Sequence, residues 1–407
     1  MANMTALDRC KHFGVANIQG MAYMPGPSNY TKTSGGLYEN SDFYNNIFLE
    51  LWSYRNPMPS ELYGRGDLSR FQKQLGVNFI HCYDWAAPIT QKDQNGNEQK
   101  FLEHVDFLRV CNFHGMKATI PISNYTMQLL SEGKVVEARK NVESIIGEIY
   151  TPQVPPNRAP IPGAGMWKIF NEYELWFDRK PEHVVTVMTW IVEWELKNSI
   201  QDQNALPMMV CTSFGMEDGI EGAGYLKKVR DALFRQGKIG SFDPAQFWNE
   251  RIVFATNPQR EGAAIADYLA DRLPAYWKSY DIPVPPVMFT ELGSSIEQTG
   301  SEANQAEWMS QQIEASKPGG SNGMMLGACV FLNEERPWED GAEKTFGVMR
   351  FGADSSWGWP KENHQADTKY PVWDPKGWYW QQSAKYPVEQ QVPKLNYRSV
   401  AKAWGPR

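Results

Sequence analysis

Two glutamates stand where a buried apolar run gives way to polar sequence. Met166-Trp167-Lys168-Ile169-Phe170 leads into Asn171-Glu172, and Val287-Met288-Phe289-Thr290 leads into Glu291-Leu292-Gly293. Apolar runs this short and dense read as strands buried on both faces. In a parallel α/β barrel the C-terminal strand ends share one rim, and chemistry sits there. Two carboxyls on such a rim can divide the work of glycosidic cleavage. One protonates the leaving oxygen, and the other attacks the anomeric carbon or activates water against it. Their gap sets the outcome: about 5–5.5 Å gives retention through a covalent intermediate, and a wider gap gives inversion. Asn171, next to Glu172, is suited to hydrogen-bond a sugar hydroxyl.

The elements that must position these residues are legible as eight apolar runs. They are Val15 to Tyr23, Val77 to Tyr83, Lys117 to Ile122, Met166 to Glu174, Met208 to Thr212, Arg251 to Ala255, Pro286 to Thr290 and Leu326 to Leu332. Amphipathic stretches lie between them, at Asp67 to Leu75, Phe101 to His114, Val135 to Tyr150, Pro181 to Asn198, Gly262 to Tyr280 and Glu302 to Ser316. Strands alternating with helices predict βαβ units and a parallel sheet. Eight such units, each run ending in polar residues fit for one rim, predict a closed (β/α)8 TIM barrel in preference to a doubly wound open sheet. Pro25 to Gly66 and the proline-rich Pro152 to Gly165 read as long irregular loops. Residues 1–352 are expected to form the catalytic barrel. Residues 353–407, rich in Trp, Pro and Gly, read as an extension packed on it.

Composition narrows the function classes. Hydrophobic residues make 42% of the 407 and charged residues 21%, which is a globular balance. A net charge of −7 with no basic stripe argues against nucleic acid. No apolar run approaches the roughly 20 residues of a membrane span. No signal peptide is visible, so the expected location is cytoplasmic if Met1 is the native start, and extracellular or periplasmic if a leader was removed. Five cysteines without a CxxC pair argue against zinc, and Cys82, Cys211 and Cys329 read as buried thiols. No phosphate loop, dinucleotide fingerprint or serine elbow occurs, and the chemistry needs no cofactor. Aromatic residues reach 13%. Trp85, Trp176 and Trp338 follow strand ends and are candidates to stack on sugar rings. His81, His104, His114 and His183 read as packing residues, and at most one of Glu334 and Glu335 reaches the cleft.

Asn-Glu after the fourth strand and Glu after the seventh resemble the signature of clan A glycoside hydrolases. Within that clan the sequence is most similar to glycoside hydrolase family 17, with the related glucanosyltransferases of family 72 next. Leu75-Gly76-Val77-Asn78-Phe79-Ile80-His81-Cys82-Tyr83-Asp84 resembles the family's second strand. Thr290-Glu291-Leu292-Gly293 resembles its Ser-Glu-Thr-Gly motif. Val330-Phe331-Leu332-Asn333-Glu334, followed by Glu343-Lys344-Thr345-Phe346-Gly347-Val348, resembles its closing segment. The resemblance implies a retaining mechanism with Glu172 as acid/base and Glu291 as nucleophile. It implies that Asn171 contacts the sugar 2-hydroxyl and that Tyr83, Asp84, Asn124 and Glu334 line the site nearest the cleaved bond.

Four departures accompany the likeness. Ser294-Ser295 stand where the family has Trp-Pro. The lysine expected soon after Glu334 is absent, with Arg336 nearby. His81 replaces an arginine on the second strand. Asn257-Pro258 ends the sixth strand, where a tyrosine is common; Asn257 is counted with the substrate-binding candidates. The sequence therefore predicts a glycoside hydrolase or transglycosylase acting on a β-linked glucan, with an oligo- or polysaccharide as its partner. A carbohydrate-binding protein on an inactive barrel is the alternative.

Overall fold

The dense apolar runs become the staves of a barrel because a strand covered on both faces has no polar side to offer water. The computed structural model describes residues 4–26, 42–53, 55–58, 61–63, 65–92, 98–150, 158–176, 178–336, 339–351, 364–368, 371–374, 377–380, 384–388 and 391–405. Its barrel strands are β1 (Ile18–Ala22), β2 (Phe79–His81), β3 (Lys117–Pro121), β4 (Ala164–Asn171), β5 (Met208–Ser213), β6 (Ile252–Asn257), β7 (Val287–Leu292) and β8 (Met325–Val330). All pairings are parallel and follow chain order, and β1 bonds both β2 and β8. That closure is a (β/α)8 barrel and excludes the open sheet. Every residue of β5, β6, β7 and β8 is buried.

The helices cover the outside as their apolar stripes require. Val135–Tyr150, Pro181–Lys197 and Glu302–Ala315 lie where periodicity places them. The expected Phe101 start is late by four residues, because Leu102 takes a left-handed φ of 59° and the helix begins at Val105. Asp67–Arg70 and Gly262–Asp267 each run into a wider π turn, so the register drifts within one continuous helical stretch. Ala223–Gln236 and Pro244–Arg251 are helices that the sequence reading passed over. The second had a signal: Asp243 caps the Gln246 N–H, with Pro244 in the first turn.

Residues 27–41, 151–157 and most of 352–390 fall outside the described residues, and with them much of the two expected loops and of the tail. Near the chain's end, Gln391–Pro393 pairs antiparallel with Met349–Phe351, and Leu395–Trp404 packs along Glu302–Ala315. Gly76 adopts a φ of +66° under the Trp404 carbonyl, where a Cβ would collide.

One buried cation ties a rim segment to the helical layer. His104 lies 3.0 Å from both Asp42 and Glu148 and stacks on Trp85 at 4.1 Å. Burial opposes its charge, yet the two carboxylates outweigh burial and raise its pKa to about 10. The stability this imidazolium contributes is complete below about pH 6.5, the unfolded value, and is lost as pH rises towards about 10. His104→Ala leaves two buried carboxylates unpaired, so urea denaturation at pH 6 is expected to show a loss of about 3–5 kcal/mol. The loss is expected to shrink between pH 6.5 and 10.

Candidate active site

Strand β4 stops at Asn171 because the next residue turns. Glu172 takes a φ of 50°, its N–H donates to the Cys211 carbonyl at 2.9 Å, and a short helix follows at Tyr173–Trp176. A left-handed non-glycine residue costs about 1–3 kcal/mol and persists only where its surroundings hold it. The Asn124 side chain does so. Its Nδ2 donates to the Asn171 carbonyl at 2.8 Å, and its Oδ1 accepts the Asn171 N–H at 2.9 Å. Asp84 in turn accepts the Asn124 N–H at 3.0 Å. Asp84, Asn124 and Asn171 thus form a line of support that aims Glu172.

Each glutamate is met by one neutral donor. Asn257 Nδ2 donates to Glu172 Oε1 at 3.0 Å, and the Thr290 hydroxyl donates to Asn257 Oδ1, which fixes the amide's orientation. Tyr83 donates its hydroxyl to Glu291 Oε1 at 3.0 Å. The Tyr83 N–H is held by the Tyr44 hydroxyl at 3.1 Å, and Lys168 Nζ lies 4.7 Å from the centre of the Tyr83 ring. The hydroxyl on Glu291 comes from Tyr83, two residues past β2, while the end of β6 supplies Asn257 to Glu172.

The pair is electrostatically joined. Burial is the main force raising the pKa of both, and Asn257 and Lys168 pull Glu172 partly back. Glu291 is more enclosed and is pushed to about 8 by burial, then by the Glu172 and Glu343 charges, against Tyr83 and Lys168. Burial and the Glu172 charge thus both oppose ionisation of Glu291, and groups that interact in this way titrate as a pair. Glu343, held by Arg336, adds negative potential to both. Glu174 lies close enough to feel Glu172; burial lifts it to about 7 while its carboxylate accepts the Ser213 N–H. Glu174 lies in the short Tyr173–Trp176 helix.

Other candidates fall elsewhere. Trp85 is 1% exposed and stacked on His104, so it is a core residue and offers no face to a sugar. Glu334 is completely buried, pairing with Arg65 at 3.0 Å and accepting from Gln391. Arg65 also binds Asp67 at 2.7 Å, and Arg70 binds Asp67 at 2.8 Å. Two buried guanidiniums claim the acidic groups there, so Glu334 joins β8 to the rim and to residue 391 and does not line the cleft. Asp84 and Asn124 are buried in the support line, with their polar atoms used internally. Trp176 is 57% exposed just after Glu172, and Trp338 lies outside the described residues. Lys168, Glu343 and Arg336 were not singled out as site residues. A lysine inside an otherwise apolar strand was the available signal for the first. All five cysteines are buried and unpaired. Among the described residues no group of three or more His, Cys, Asp or Glu side chains is placed to hold a metal ion, and no helix is long and apolar enough to cross a membrane.

No family model matches the chain, and no curated protein matches it. Among solved structures it is similar to Saccharomyces cerevisiae Gas2p in complex with laminaripentaose, with a TM-score of 0.46 and 12% identity over 95% of this chain and 64% of that one. It is also similar to the β-glucuronidase of Ruminococcus gnavus, with a TM-score of 0.42 and 12% identity over 70% of this chain and 44% of that one. The chain spans less than two thirds of either protein, and a likeness of this size carries no conclusion about activity.

Removing one charge of the pair must ease ionisation of the other. Glu172→Gln is expected to lower the Glu291 titration from about 8 by about 1 unit, read by infrared difference spectroscopy of the carboxyl bands. A titration that stays in place would show that the two groups do not interact.

Proposed function

We propose that the protein is a retaining glycoside hydrolase or transglycosylase acting on a β-linked glucan by double displacement. The observation that carries this reading is the coupled pair Glu172 and Glu291 at the ends of β4 and β7, each given its own neutral donor.

Glu291 serves as nucleophile and Glu172 as acid/base. In the first step a Glu291 oxygen bonds to the anomeric carbon while the bond to the leaving oxygen breaks, and Glu172 gives that oxygen its proton. In the second step Glu172 takes a proton from water or from a sugar hydroxyl. That oxygen then bonds to the anomeric carbon, and the electrons of the glycosyl–Glu291 bond return to the carboxylate.

In the bare site burial disfavours ionisation of both glutamates, and Glu291 also meets the Glu172 and Glu343 charges. A sugar ring over the half-open Glu172 desolvates it, and developing positive charge at the anomeric carbon favours ionised Glu291. Both effects move the proton to the acid/base position. In this reading Asn171 contacts the 2-hydroxyl, and exposed Trp176 offers a stacking face beside the acid/base.

Variants separate the two roles. Glu291→Ala is expected to abolish turnover, with azide restoring part of it as the α-glycosyl azide. Glu172→Ala with azide is expected to give the β-azide. If Glu291→Ala kept near-normal turnover, the assignment would fail.

Transfer and hydrolysis share the first step, so they separate by product. Mass analysis after incubation at high concentration with β-1,2, β-1,3, β-1,4 and β-1,6 glucans is expected to show turnover on at least one linkage. Chains longer than the substrate mark a transferase, shorter ones alone mark a hydrolase, and binding without any turnover would defeat the enzymatic reading.

A further inference from the structure

Lys168 sits in β4 with its side chain closed to solvent. Taking an ammonium out of water without a partner costs several kcal/mol, so a buried lysine ordinarily sits against a carboxylate. Here no carboxylate among the described residues is within ion-pair distance, and the contacts of Nζ are His81 Nε2 at 3.4 Å and the Tyr83 ring face at 4.7 Å. An ammonium only donates, so Nε2 accepts and the imidazole carries its proton on Nδ1. Burial and the Lys168 charge both hold His81 well below its ordinary pKa, so His81 is neutral. With His81 neutral, Lys168 is the group beside the Tyr83 ring that can carry the charge; burial lowers its pKa, and Asp84 and Glu291 act against that lowering.

The groups facing that charge are few. From β2 and the residues just after it come Cys82 and Asp84, from β5 Cys211, and from β7 Glu291. Burial raises both thiols, so they stay neutral. Asp84 accepts the Asn124 N–H through one oxygen, and burial raises its pKa against the pull of the Lys168 charge. On Glu291 act Glu172 and Glu343, which oppose its ionisation, and Tyr83 and Lys168, which favour it.

We propose that Lys168 is a positioning residue of the site: the buried cation that favours ionisation of Glu291 and that aims and polarises the Tyr83 hydroxyl towards it. The proposal rests on the reading of Glu291 as nucleophile. A cation over the ring face draws electron density from the phenol and strengthens its O–H as a donor. The ring is pinned by this contact and by the edges of His81 at 5.0 Å and Phe331 at 6.4 Å. The same charge helps both steps. It eases loss of the Glu291 proton when a sugar binds, and it favours Glu291 as the departing group when the glycosyl bond breaks. Lys168 thus occupies by charge, from β4, the place that His81 leaves neutral on β2.

The test compares Lys168→Met with Lys168→Gln, which keeps a donor for His81, and with Lys168→Arg, which keeps the charge. The first readout needs no substrate. In a Glu172→Gln background, the Glu291 titration by infrared difference is expected to rise by about 1 unit or more in the Met and Gln variants. The Arg variant is expected to hold it near the parent value. The second readout is the pH profile on a glucan that the wild type turns over. Loss of the cation leaves Glu291 protonated to higher pH, so the acid limb of kcat/KM is expected to move up. The fall is expected in kcat, about tenfold or more, with KM little changed. An unmoved Glu291 titration in either neutral variant overturns the proposal, whatever the rate, because a merely structural lysine would slow the enzyme without moving the limb. If the titration moves and the wild type turns over no glucan, the electrostatic role stands and the reading of the site as a glycosidase fails.

Discussion

Two carboxyls held in one buried cleft cannot both ionise freely, and much of this structure follows from that constraint. Burial disfavours each charge, and each charge disfavours the other. The protein answers with one neutral donor apiece, Asn257 on Glu172 and Tyr83 on Glu291, and with the enclosed Lys168 against the Tyr83 ring. Neither glutamate has an arginine or lysine in direct contact among the described residues. A contact ion pair would fix the proton in one place, whereas a shared proton can move when a ligand covers one partner. The arrangement suits a reaction in which one carboxyl must be acid and then base while the other stays ionised.

The barrel supplies the geometry this needs. Parallel strands deliver all their C-terminal ends to one rim, so β2, β4, β6 and β7 each contribute one polar group to the same place. The fine aim comes from a different layer. Asp84 and Asn124 hold the backbone at Asn171, which holds the left-handed turn at Glu172. The rim is fastened separately, by His104 between Asp42 and Glu148 and by the Arg65, Asp67, Arg70 and Glu334 network. Paired charges thus serve structure at the periphery, and neutral donors serve the catalytic pair at the centre.

The eight strands were legible in the sequence because strand identity here rests on local composition: short apolar runs ending in polar residues. Glu172, Glu291, Tyr83 and Asn257 were legible as strand-end residues for the same reason. Trp85 and Glu334 were not, since both follow strand ends yet turn inward. A tryptophan beside a rim does not reveal whether its ring meets a sugar or a histidine two elements away. A glutamate after β8 does not reveal an arginine arriving from residue 65 and a glutamine from residue 391. Lys168 was hidden by the opposite effect. One polar residue in an apolar run looks like a defect in the pattern, and only the closed barrel shows that it points at the nucleophile's support.

The central claim is that Glu291 forms a bond to the sugar. A 2-deoxy-2-fluoro-β-glucosyl donor with a fast leaving group tests it most directly, because fluorine slows the second step more than the first and lets the intermediate accumulate. Intact mass followed by peptide mapping is expected to find one fluoroglucosyl group, on Glu291. A label on Glu172 or on another residue, or turnover to an inverted product with no label, would contradict it.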